Sequence, residues 1–286
     1  MDRLDARVPT ILPGRGVRAA AMTFGALARS GFRRYATYRQ ATVAGAFTNV
    51  VFGFLRCYVL LAVAAAAVGY RAGGYDATQL ATYVWVGQGL LSVVQLGQWT
   101  ELADRVRSGD VAADLLRPVS PVTSYLAADL GRAGHALLTR FVPPLVAGMI
   151  FFPLYVPARP ATVALFAVSI VLAVMISFAC RFLSNAVSYW LHDSRGVVML
   201  WVLGAGVLAG LYFPLRLLPG PLTAVLWLGT PFPSMLQTPL DVLVEVDPAP
   251  RQAGLVLLQL LWAAGLLALC RLVQRRAERR LVVQGG

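Results

Sequence analysis

Six long apolar stretches, joined by short connections that carry most of the arginines, restrict this chain more than any single motif does. A helix that crosses a bilayer needs about 20 mostly apolar residues to span roughly 30 Å of hydrocarbon. Such stretches fall at 43–69, 78–99, 124–152, 161–190, 197–213 and 253–273. The third is the weakest, with its continuous apolar part confined to 141–156, and the fourth is long enough to project beyond the bilayer. Only 13% of the residues are charged and 58% are hydrophobic, too little charge to cover a water-soluble domain of 286 residues. The same richness in apolar residues excludes disorder. The expected fold class is therefore an all-α integral membrane protein with six transmembrane helices.

The arginines orient it. Placing both termini in the cytoplasm puts 20 of the 25 arginines on the inner side and only Arg71, Arg159, Arg216 and Arg251 on the outer side. Arg56 falls inside the first span. Residues 1–42 form a cytoplasmic N-terminus without the compact apolar core of a signal peptide. Within them, Val17–Thr42 mixes apolar residues with Arg29, Arg33, Arg34, Arg39, Tyr35 and Tyr38. That mixture suits an amphipathic elbow helix lying on membrane lipids at the inner surface rather than a nucleic-acid-binding arm. Residues 43–274 are the six-span domain, and 275–286 are a basic cytoplasmic tail.

Absent residues exclude chemistry. The chain has no lysine, so it offers neither the lysine of a phosphate-binding P-loop nor an amine for Schiff-base chemistry. Cys57, Cys180 and Cys270 are too widely spaced for a zinc site or a disulfide framework, and His135 and His192 are too few for a metal cage. These five read as structural. No His-Glu-x-x-His pattern is present, and the acids are scattered in connections, so catalytic, cofactor-binding and metal sites are expected to be lacking.

Two connections are unusual. The inner one, ELADRVRSGDVAADLLRPVSP at 101–121, has a helix stop at Ser108-Gly109. Asp110 is then a candidate N-cap for a short helix over about 110–117, closed by Pro118 and Pro121. Val111 and Leu115 share one face, with Leu116 beside them, and Asp110, Asp114 and Arg117 supply the polar remainder. A helix this short must pack on something, either its own bundle or a cytoplasmic partner. The outer connection, 214–252, contains eight prolines yet stays strongly apolar in LTAVLWLG and MLQTPLDVLVEV. Two short re-entrant helices dipping into the outer leaflet fit that pattern.

Inside the spans, polar residues are few. Arg56 costs several kcal/mol there unless it faces water or a partner. The nearest acid, Asp129 at the inner start of the third span, is a weak match in depth. Gln88, Gln95 and Gln98 lie on the second span, and Trp85 sits one turn before Gln88. Gln88 and Gln95 share a face and either bridge helices or line a wet path. The fifth span carries the small-residue pairs Gly206/Gly210 and Ala205/Ala209, which permit close helix contact. Pro143-Pro144 predicts a kink in the third.

A membrane enzyme lacks its residues here, and an ion- or proton-coupled secondary transporter lacks titratable groups at depth. A transport subunit driven by another protein agrees with every feature above. In its elbow, in SGDVAADLLRPVSP with the DLLRPV stretch at 114–119, in its outer connection and in RRAERRLVVQGG, the chain resembles the type-2 ABC exporter permeases of the short bacterial six-span kind. The resemblance implies a multi-pass protein of the bacterial plasma membrane that pairs with a second six-span permease, identical or homologous. It implies two cytoplasmic ABC ATPase subunits, which bind ATP and magnesium in place of this chain. It makes Asp110, Val111, Asp114, Leu115, Leu116 and Arg117 the ATPase-docking element. It makes Trp85, Gln88, Gln95, Leu208 and Tyr212 the substrate path, and it gives the intramembrane charge Arg56 no role. The implied mechanism is alternating access when the ATPases close.

Overall fold

The computed structural model describes residues 13–36, 39–67, 69, 71–191 and 194–284. His192 and the first part of the N-terminal segment lie outside them. Among the described residues there is no strand, only an isolated bridge between Ala72 and Tyr75. The helices are α1 (Pro13–Ala36), α2 (Arg39–Ala66), α3 (Ala77–Leu90), α4 (Glu101–Ser108), α5 (Val111–Leu115) and α6 (Pro121–Ala136). They continue with α7 (Val142–Phe151), α8 (Pro160–Ala186), α9 (Arg195–Leu208), α10 (Gly220–Gly229), α11 (Gln237–Leu243) and α12 (Ala249–Gln284).

Among the described residues, four segments are long and apolar enough to cross a membrane: Val43–Ala66, Pro121–Phe151, Pro160–Tyr189 and Ala249–Arg280. The stretches expected to be helical at 78–99 and 197–213 are shorter, and both have a physical stop. After α3 the chain widens into a π-turn, Leu91–Gln95, which ends with Gln95 in the left-handed region at φ 58°. After α9, Gly210 turns left-handed at φ 82°. Its carbonyl accepts from Tyr83 Oη at 2.7 Å, and a side chain there would collide with Gln237. The small-residue pairs of this region therefore serve contacts inside the chain, where Ala205 and Ala209 are fully buried.

The segment expected to form an elbow contains the helix α1, and it is held by protein contacts. α1 packs along α6, and a Cβ added at Gly31 or Gly131 would overlap the carbonyl oxygen of Ala128 or Ala28. Two helices come this close only where neither bears a side chain. Glycines also seat Trp85 of α3. A Cβ at Gly53 of α2 would lie 2.6 Å from its indole, and one at Gly148 of α7 would lie 2.5 Å away. The kink expected at Pro143-Pro144 takes the form of a second π-turn, Leu137–Phe141, because the prolines that follow cannot donate the ordinary helical bonds.

α8 is the hub. It packs against α12, α11, α6, α9 and α4. Its C-terminal half carries Arg181, which is 1% exposed and donates from Nη2 to Asp129 Oδ2 at 2.8 Å. Asp129 also holds Arg132 Nε at 2.7 Å. Arg132 spends its other donors on the carbonyls of Ser92 and Val93, at 2.7 and 2.9 Å, and Ser177 donates to the carbonyl of Gln95 at 3.1 Å. The π-turn thus presents its carbonyls to side chains of α6 and α8. Asp129, the nearest acid to Arg56 on sequence grounds, is committed to this triad and makes no pair with Arg56.

Candidate functional site

The inner connection is a propped hook. α4 stops at Gly109, which is left-handed at φ 82°. α5 covers Val111–Leu115, shorter than the expected 110–117. Asp110 stands at its N-cap position without capping through its side chain; instead it accepts from Ser108 Oγ at 2.8 Å. Pro121 does not close the hook but opens α6, whose N-cap is Ser120. The six expected residues divide into two groups. Val111 is buried in the same cluster as Leu102 and Val122, and Asp114 accepts from Arg105 Nε at 2.6 Å and Tyr125 Oη at 3.1 Å. These two hold the hook to its own bundle. Leu115 is half-buried. Asp110 and Arg117 are exposed, and Leu116 is 88% exposed at the tip. Among the described residues it is the barest of the large apolar side chains.

The second feature is a cavity of about 570 Å³ between α2, the inner part of α3 and the turn after α9. Arg56, Asn49, Phe52 and Val59 line it from α2, Gln88 and Leu91 from the α3 side, and Leu211 and Tyr212 from beyond α9. Of the five expected path residues, Gln88 and Tyr212 stand in this wall. Trp85 does not: it is fully buried behind α2, edge-on to Phe54, because Gly53 and Gly148 admit it there. Leu208 is half-buried outside the wall, its place taken by Leu211. Gln95 lines a separate inner cavity of about 320 Å³ with Gln98, Arg132, His135 and Arg140. Asn49 was legible but missed. It lies seven residues before Arg56, on the same helical face, and donates to the carbonyl of Gln88 at 3.3 Å.

The outer connection forms two short helices, α10 and α11, as expected, held by polar bonds. Gln237 is held on both ends: Oε1 accepts from the Leu215 amide and shares the Tyr83 hydroxyl hydrogen with the Gly210 carbonyl, and Nε2 donates to Tyr75 Oη and Asp241 Oδ1, at 2.7–2.8 Å. Arg216 bridges Asp241 and Asp247. Glu245, left-handed at φ 51°, accepts from Tyr155 Oη at 2.8 Å, the amides of Ala158 and Arg159, Arg159 Nε at 2.9 Å and Thr162 Oγ1. Burial opposes its charge, but these bonds prevail and hold its carboxyl down at about 2, against an ordinary 4.5. A depressed carboxyl adds stability above its unfolded value and loses it as pH falls through the folded one. The stability gap between the parent and Glu245→Gln in thermal melts should therefore be constant above about pH 5 and shrink as pH falls toward 2. A gap unchanged from pH 6 to pH 3 would count against the clamp.

A family model described as ABC-2 family transporter protein matches residues 51–285. The chain belongs to the ABC-2 transporter permease family. No curated protein and no solved structure matches it. Permeases of this family are membrane subunits without an ATPase site of their own, in agreement with a lysine-free ABC-2 chain. Among the described residues of this permease, no group of three or more metal-ligating side chains occurs.

Proposed function

We propose that the chain is one permease of an ATP-driven exporter in the bacterial plasma membrane, with six spans and both termini in the cytoplasm. In this reading α3 with its π-turn, and α9 with the turn after it, are the second and fifth spans, and α10 and α11 dip into the outer leaflet. The hook docks on a cytoplasmic ABC ATPase. Two such ATPases hold ATP and magnesium, and a second permease, identical or homologous, completes the path by facing α2. Closure of the ATPases drives alternating access; the ligand must bind the two states differently for transport to proceed.

The observation that carries this reading is the bare Leu116 on a braced turn. Leu116→Asp places a charge where the partner's groove must be apolar, without touching Val111 or Asp114. Loss of a central apolar anchor costs about 2 kcal/mol or more, which is about 30-fold in affinity. In pull-downs and ATPase assays with the ATPase encoded beside this chain, Leu116→Asp should abolish complex formation and permease-dependent stimulation, with an unchanged melting profile. Full complex yield and full stimulation would remove the docking role.

A further inference from the structure

Arg56 is the group whose surroundings the proposed function leaves unexplained. Its stem lines the 570 Å³ cavity, while Nε, Nη1 and Nη2 are all out of contact with solvent and bond to no group among the described residues. The other ionised side chains buried here are met. Arg181 and Arg132 share Asp129, and Arg216 holds Asp241 and Asp247. A desolvated guanidinium with five unmet donors is costly, and a ligand that accepts those bonds removes the cost.

The cavity walls indicate what such a ligand looks like. Phe52, Leu55, Val59, Leu60, Leu91 and Leu211 make most of the surface apolar, and no carboxylate faces it. Leu91 stands in the walls of both this cavity and the inner one. Arg132 and Arg140 line that inner cavity, so positive side chains lie beyond Leu91. A neutral lipophile would leave Arg56 unmet, and a small hydrophilic anion would leave the apolar wall wet. We propose that the cavity binds an amphiphile with an anionic head, its chain lying along α2 and its charge met by Arg56 once the guanidinium swings from its buried position into the cavity. This names the cargo class of the transport reading above and rests on that reading.

The test uses the full chain in phosphatidylcholine nanodiscs, with no ATPase present. Equilibrium binding of radiolabelled dodecyl phosphate is compared with dodecanol and with inorganic phosphate. Dodecyl phosphate should bind about tenfold or more tighter than dodecanol, a margin that one charge-assisted contact supplies. Inorganic phosphate should not bind. Arg56→Lys should keep the preference and Arg56→Gln should erase it. Val59→Trp, which fills the cavity and leaves Arg56 in place, should weaken dodecyl phosphate binding even if Arg56→Gln does not purify as a single species. Three outcomes overturn the proposal: equal binding of dodecyl phosphate and dodecanol, inorganic phosphate binding as well as the amphiphile, or Arg56→Gln and Val59→Trp binding like the parent. A change in oligomeric mass on Arg56→Gln with unchanged binding would make the cavity a contact between permeases and also overturn it. Loss of ATPase docking in the Leu116 experiment does not affect these readouts, so the two ideas fail separately.

Discussion

Replacing Asp129 by alanine should destabilise the chain by about 3–5 kcal/mol in reversible denaturant titrations in detergent, the usual loss when one member of a buried ion pair is removed. The reason is geometric. Among the described residues, Asp129 is the sole carboxylate on Arg181, which is 1% exposed, and on Arg132, which is 6% exposed. Removing it leaves two desolvated cations side by side. Arg132 would retain the carbonyls of Ser92 and Val93, but Arg181 would keep only Ser177 Oγ at 3.3 Å and the face of Trp99 at 5.9 Å. A companion variant separates the ion network from the volume it fills. Asp129→Leu with Arg132→Met and Arg181→Met removes every charge at once and should lose less than Asp129→Ala alone. A single-variant loss below about 1 kcal/mol would mean that the triad is wet and of little structural consequence.

The second large effect is expected at Gly131. Any side chain there runs into the backbone of α1 at Ala28, and a flexible neighbour is not available to yield. Gly131→Leu should push α1 off α6, a loss of about 1–3 kcal/mol by overpacking. It should raise amide exchange and protease cleavage over residues 13–36 while leaving α8 and α12 protected. Gly25 is the internal control, since an added methyl there meets nothing within 4 Å. Gly25→Ala on the same helix should be neutral or stabilise by roughly 0.5–1 kcal/mol through helix propensity. Equal exchange in both variants would show that the elbow is held by lipid rather than by α6.

The apolar stretches were plain in the sequence because hydrocarbon imposes a length, and the positions of α2, α8 and α12 follow from it. The stop at Ser108-Gly109 and the two short outer helices were legible for a similar reason: glycine and proline act locally. What was not legible depends on partners distant in the chain. Nothing near Leu91–Gln95 signals a π-turn, because its carbonyls are satisfied by Arg132 and Ser177, 40 and more residues away. The resemblance implies that Trp85 is a path residue. Its burial is set by the absence of side chains at Gly53 and Gly148, on two other helices. Asp110 has the chemistry of a cap but finds Ser108 first. Arg56 is unusual on sequence grounds as a charge within an apolar stretch, but only the structure shows that its three nitrogens lack acceptors among the described residues.

The bracing of the hook has a mechanical consequence. Asp114 ties α5 to Arg105 of α4. Asn185 of α8 then grips the amide of Ala103 and the carbonyl of Trp99, at the start of α4, at 3.2 and 2.7 Å. One turn further up α8, Arg181 joins the Asp129 triad and through it α6 and the end of α3. If Leu116 is the docking point, a push there would meet a continuous run of polar bonds through α4 to α8, α6 and the end of α3. The give in such a machine has to sit elsewhere, on the α2 side, where fewer polar bonds cross between helices.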